Sequence, residues 1–144
     1  MGLIYAEQVE EMSVDEMQKT HENEIQILND IDKLATQCQI QKKPTDELEA
    51  KLHEYVAHVK KHFANEERLM QKYNFPKYDM HKTAHDIFLS DLEHSSREWK
   101  KYGDFKKILN FIRKTPEWIV LHVNSVDAPT ADFLAQKMKE ESES

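Results

Sequence analysis

The sequence predicts an all-α protein: an antiparallel up-and-down four-helix bundle with an N-terminal arm, a kinked fourth helix and a short C-terminal helix. Three observations predict it. Apolar residues recur at steps of three, four and seven along four long stretches, the period of one buried helix face. Breakers are scarce, with 2 Gly and 4 Pro in 144 residues against 33% charged and 39% hydrophobic, a balance that favours long amphipathic helices. The connections are short and polar, which makes successive helices antiparallel neighbours. There are no internal repeats and no low-complexity linkers, so residues 1–144 read as one domain with its bundle core at about 13–128.

Ser13-Val14-Asp15-Glu16 has the form of a capping box and opens a first helix over 13–39. Its stripe is Val14, Met17, His21, Ile25, Leu28, Ile31, Ala35 and Cys38, so a histidine stands on the buried face. Gln39 to Thr45 is a loop containing Pro44, with Thr45 capping the second helix. That helix carries Leu48, Leu52, Tyr55, Val59, His62, Glu66, Leu69 and Tyr73, and Asn74-Phe75-Pro76 ends it. The third helix starts near Tyr78 or Asp79, turns His81, His85, Phe88, Leu92 and Trp99 inward, and stops at Tyr102-Gly103. Asp104 caps the fourth. Thr115-Pro116 reads as a second N-cap with proline at N1, which predicts a kinked helix or two pieces, roughly 105–114 and 116–128. Ala128-Pro129 predicts another bend or break, and 130–139 a last short helix.

Composition excludes several classes. A net charge of -7 and a pI near 5.6 argue against nucleic acid and against anionic membrane surfaces as partners. No run of 18 apolar residues and no signal-peptide core occurs, and Ala6 stands where N-myristoylation needs Ser or Thr. The single Cys38 cannot form an internal disulfide. A soluble cytoplasmic protein is the expectation.

Chemistry concentrates in the histidines. Five of the 8 fall on inward stripes: His21, His62, His81, His85 and His122. His62 with Glu66 and His81 with His85 are i, i+4 pairs, whose side chains leave one helix face one above the other. His122 and Asp127 are five apart, about 140° round an ideal helix, an awkward spacing for a pair. His58 reads as a boundary residue or a spare ligand; His53 and His94 read as solvent-facing. Five imidazoles and two carboxylates without partners would be costly in so small a core. A single structural zinc needs only four ligands. Seven donors with two bridging carboxylates suit two octahedral first-row ions and leave a position open, and nitrogen and oxygen donors without thiolate favour iron or manganese.

These motifs, HxxxE at His62–Glu66, HxxxH at His81–His85 and HxxxxD at His122–Asp127 after a first-helix histidine, resemble the hemerythrin family, specifically its bacterial single-domain members. HFANEERLM, the aromatic-proline turn after it, and Trp118 four residues before His122 extend the resemblance over roughly residues 15 to 135. The resemblance implies two iron ions (Fe2+/Fe3+) with an oxo or hydroxo bridge. His81, His85 and His122 would saturate one iron, His21 and His62 would hold the other, and Glu66 and Asp127 would bridge both. O2 would bind as hydroperoxide on the five-coordinate iron, in an apolar pocket matched by Phe63, Ile119 and Val123.

The expected function is reversible O2 binding, for carriage, storage or scavenging, rather than an enzyme's turnover. Five neutral imidazoles against two carboxylates should stop oxygen chemistry at the peroxide level, whereas carboxylate-rich di-iron sites go on to cleave the O–O bond. The alternatives are a di-iron enzyme reducing peroxide or nitric oxide, and an oxygen or iron sensor module. The sequence leaves monomer or homo-oligomer open.

Overall fold

The computed structural model describes residues 14–41, 46–102 and 106–143, the side chains of Gln39 and Tyr102 excepted. Five helices follow in order: α1 (Asp15–Gln41), α2 (Asp46–Lys72), α3 (Tyr78–Tyr102), α4 (Lys106–His122) and α5 (Ala128–Glu143), with a π-helical segment at Val123–Asp127 between the last two. No strand occurs among the described residues. α1 packs on α2, α2 on α3 and α3 on α4, and α4 closes back on α1, the ring of a four-helix bundle. The capping roles expected of Ser13, Thr45 and Asp104, the stop at Gly103, the 42–45 part of the first loop and the N-terminal arm lie outside the described residues.

The helices form where the stripes placed them. α1 and α2 are 27 residues each, about 40 Å at 1.5 Å per residue. Because neighbours run antiparallel, the stripes sort by height. Leu28, Ile31, Ala35, Leu48, Leu52, Leu92, Ile108 and Ile112 are buried in one half, where each large side chain contributes about 1.5–3 kcal/mol. The early part of α1, the late parts of α2 and α4 and the start of α3 meet in the other half, which is where the histidines are.

The α2–α3 turn is built as anticipated. Asn74 takes a left-handed φ of 55°, its N–H reaches the Gln71 carbonyl at 3.3 Å, and Phe75 N–H reaches Met70 O at 2.9 Å. These two bonds are those of a Schellman motif, satisfying carbonyls the helix end would leave bare.

The fourth helix, expected either kinked or in two pieces, takes the continuous form. Thr115-Pro116 does not divide it: α4 runs unbroken through Pro116. Proline deprives the Ile112 carbonyl of its i+4 donor. The buried Thr115 hydroxyl donates to that same carbonyl at 2.6 Å and fills the gap. Nor does Ala128-Pro129 break the chain. Ala128 keeps a right-handed helical backbone (φ −62°, ψ −48°), and its N–H bonds Val123 O, five residues back. The widened turn contains Ser125, the residue whose carbonyl the Pro129 ring would otherwise strike. The irregularity therefore falls between the two prolines' expected breaks, and the last helix begins at Ala128 rather than 130. α5 returns over the α2–α3 turn, with Phe133 at 5.2 Å from the Phe75 ring and Tyr73 donating to Glu141 at 2.7 Å.

Candidate metal centre

All seven sequence-predicted ligands meet in one place, and none is more than 6% exposed. Each imidazole turns its Nε2 toward the two carboxylates. Glu66 divides its oxygens: Oε2 is 2.6 Å from His62 Nε2 and 4.0 Å from His21 Nε2, while Oε1 faces His81 and His85 at 3.3 and 3.1 Å. Asp127 does the same, with Oδ1 at 2.9 Å from His81 and 3.0 Å from His122, and Oδ2 at 3.0 Å from His21. The donors thus sort into two overlapping sets, His81–His85–His122–Asp127 and His21–His62–Glu66–Asp127, each with its atoms within 4.8 Å of one another. One set holds three imidazoles, the other two.

The π-helical segment is what makes this possible. Residues five apart lie about 140° round a regular helix, but an i→i+5 turn stacks them. Asp127 is brought beneath His122, its neighbour across one wide turn.

Aromatic rings back the three-imidazole set. Phe63 stacks on His85 (3.8 Å between centroids, 3° between planes) and Trp118 on His122 (4.3 Å, 12°), with Phe88 against both Trp118 and Phe63. Ile119 and Val123 are buried in the same core cluster as Phe63. Phe63 also lies 5.4 Å from the His62 ring. Of the other histidines, His53 and His94 face solvent and His58 is half-buried, as their positions suggested.

Outer partners fix the rings, and these the sequence did not disclose. His85 Nδ1 donates to Glu67 at 3.1 Å. His81 Nδ1 meets the Thr130 hydroxyl at 3.0 Å; that hydroxyl gives its own proton to Val126 O at 2.8 Å, so it accepts from the ring. His62 Nδ1 faces Glu24 at 3.3 Å, and Glu24 also accepts from the buried Tyr55 hydroxyl at 3.1 Å. Glu24, three residues after His21, was the available signal: buried Tyr55 on the α2 stripe requires a polar partner. Such partners orient metal-bound imidazoles and set which nitrogen is free.

The electrostatics are those of donors poised for cations. Burial would raise the Glu66 and Asp127 carboxyls, but the facing imidazoles hold both well down, His62 chiefly for Glu66 and His122 chiefly for Asp127. Burial disfavours the charged His62 and His81; the carboxylates outweigh it, lifting His62 well above its ordinary value and His81 to about 9. Burial likewise drives Tyr55 well up, with Glu24 adding to it.

One observation tests whether these groups fit metal ions. Among the described residues, every buried side-chain nitrogen or oxygen lacking a hydrogen-bond partner belongs to one of the seven or to His58; the set includes Glu66 Oε1, Asp127 Oδ1 and the Nε2 atoms of His81, His85 and His122. Each would cost about 1–3 kcal/mol left so. The five named atoms are concentrated where cations would satisfy them together.

Comparison with known proteins leads to the same place. The profile of the family described as Hemerythrin HHE cation binding domain matches residues 12–128. A protein named Bacteriohemerythrin from Aquifex aeolicus (strain VF5) is 29% identical over 119 residues, 82% of this chain and 87% of that one. Another Bacteriohemerythrin, from Ralstonia nicotianae (strain ATCC BAA-1114 / GMI1000), is 31% identical over 83 residues, 58% of this chain and 60% of that one. Hemerythrin subunit 1 of Golfingia vulgaris is 36% identical over 67 residues, 46% of this chain and 47% of that one. No solved structure matches. With a profile match over most of its length and the motif residues gathered in one buried cluster, the chain belongs to the hemerythrin family of HHE cation-binding domains.

Proposed function

We propose that this protein binds O2 reversibly at a non-heme di-iron centre, with His81, His85 and His122 on one iron, His21 and His62 on the other, and Glu66 and Asp127 spanning the two. The observation that carries the reading is the division of the carboxylate oxygens between a three-imidazole and a two-imidazole set, which leaves one ion a donor short. When bound, an iron pair would supply the two electrons that reversible O2 binding needs and would take them back on release. The chain's own residues do the rest. Neutral imidazoles outnumber carboxylates, Phe63, Ile119 and Val123 supply buried apolar walls, and Glu67, Thr130 and Glu24 hold the rings in place.

Carriage, storage or scavenging is favoured over catalysis on the same ground of ligand type. A cytoplasmic setting accords with the acidic composition; among the described residues no helix is long and apolar enough to cross a membrane. The test is optical. Anaerobically reduced, iron-loaded protein should gain a visible band on exposure to O2, lose it under argon and regain it over several cycles. Immediate conversion to a stable oxidised form without that band would overturn the proposal.

A further inference from the structure

A second group of ligating atoms lies just outside the centre. Glu24, His58 and His62 present a carboxylate oxygen and two ring nitrogens within 4.8 Å of one another. His58 Nε2 and His62 Nδ1 are both buried and neither makes a well-aligned hydrogen bond. Thr20 and His58 face each other across the α1–α2 seam, in the wall of one crevice. Glu24 is buried, with its Oε2 3.3 Å from His62 Nδ1.

This group is reached from solvent. A crevice of about 140 Å³ between α1 and α2 is lined by Thr20, Asn23, His58, Lys61, His62 and Asn65. A smaller void beside it shares Thr20, His62 and Asn65 and reaches Glu66. The first cavity touches two of the three ligating residues, His58 and His62, and the second touches His62 and Glu66 on the two-imidazole side of the centre. The opposite side is closed by the Phe63, Phe88 and Trp118 rings.

We infer that Glu24 and His58, with the outward nitrogen of His62, form an entry site at which a divalent first-row cation docks before passing into the di-iron centre. The inference rests on the di-iron reading for the ion's destination. Donor count sets the direction. A neutral imidazole offers one lone pair, so while His62 Nε2 serves inside, the outer ion keeps only Glu24, His58 and the amide or hydroxyl oxygens of the crevice. That site is weaker than the four or five protein donors within, and transfer is downhill. The Asn23, Asn65 and Thr20 side chains suit an ion that still carries water. Lys61 lines the crevice as well but is exposed, so its long stem can carry the ammonium clear of the path.

The experiment is anaerobic Fe2+ uptake into metal-free full-length protein, followed by stopped flow, with the end-point iron content measured separately. His58→Leu and His58→Gln should each slow uptake about tenfold at low Fe2+, the scale on which outer partners act, and leave the end-point at two per chain. His53→Leu, an exposed control on the same helix, should not slow it. Far-UV circular dichroism checks folding, and the glutamine variant guards against an effect of packing alone. Equal rates in all variants with full loading would overturn the entry site and leave the di-iron reading intact. Fewer than two irons in the unsubstituted chain would overturn the di-iron reading, and the destination with it.

Discussion

Asp127 stands one wide helical turn below His122, with its Oδ1 3.0 Å from the imidazole Nε2, because Val123–Asp127 is π-helical. The same Asp127 oxygen lies 2.9 Å from His81 on α3, and its other oxygen 3.0 Å from His21 on α1. One carboxylate therefore ties three helices. Asp127→Asn keeps the shape and removes the charge. Iron content by metal analysis should fall from two to one or fewer per chain while the helical signal persists. Full loading of that variant would dismiss Asp127 as a bridge.

His122→Leu makes a parallel case on the three-imidazole set. It removes a nitrogen donor and leaves Trp118 without its stacked ring. Less iron with far-UV circular dichroism largely intact is the expected result; unchanged loading would show that His122 is no ligand.

The repair at Pro116 predicts a purely structural effect. Thr115→Val keeps the side-chain volume but strips the donor from Ile112 O. A buried carbonyl left bare costs about 1–3 kcal/mol, so the thermal midpoint should drop by several degrees. Iron content should not change, since Thr115 touches no ligand. A midpoint equal to the parent's would mean another donor serves that carbonyl.

Glu67→Gln and Thr130→Val disturb the rings of His85 and His81 without removing a donor to iron. Outer partners of this kind are worth about 10–100-fold in metal affinity. Competition with a chelator should reveal weaker retention in both variants. Retention indistinguishable from the parent would assign these contacts to packing alone.

Iron uptake should release protons. In the metal-free chain His81 titrates near 9 and His62 is also raised well above its ordinary value, so both are charged at neutral pH and must lose a proton to bind a cation. A dye in weak buffer should register acidification on loading at pH 7.5, and less at pH 10. The sign for stability follows from the same shifts. A raised imidazole stabilises fully below its unfolded value near 6.5 and that support is lost as pH rises through about 9. The metal-free thermal midpoint should thus fall between pH 7 and 10. A flat profile with no proton release would rule out protonated imidazoles in the empty chain.

Much of this was legible from residue spacing. The stripes on α1 to α3 named the buried face because period alone decides which residues a helix turns inward, and the ligands sat on those stripes. At the prolines the sequence left a kink and a break both open, and the chain takes the continuous form. Thr115 lies beside Pro116 in the sequence, but only the folded rotamer shows its hydroxyl on the Ile112 carbonyl. The five-residue step from His122 to Asp127 looked like a defect under a regular period and is the signature of a different one. Glu24, Glu67 and Thr130 were missed for a simpler reason. Their partners lie 38, 18 and 49 residues away in sequence for Glu24–His62, Glu67–His85 and Thr130–His81, and no local pattern records such pairings.

The divided carboxylates have a mechanical consequence. Glu66 and Asp127 each send one oxygen to either side, so the spacing between cations held there is gauged by the O–C–O bite, a bonded dimension. Helix packing, by contrast, breathes with temperature and with every repacked neighbour. Such motion can tilt this gauge, but it cannot stretch it. Cations shared by these carboxylates would thus have their spacing limited by a bonded dimension as well as by the packing of the helices.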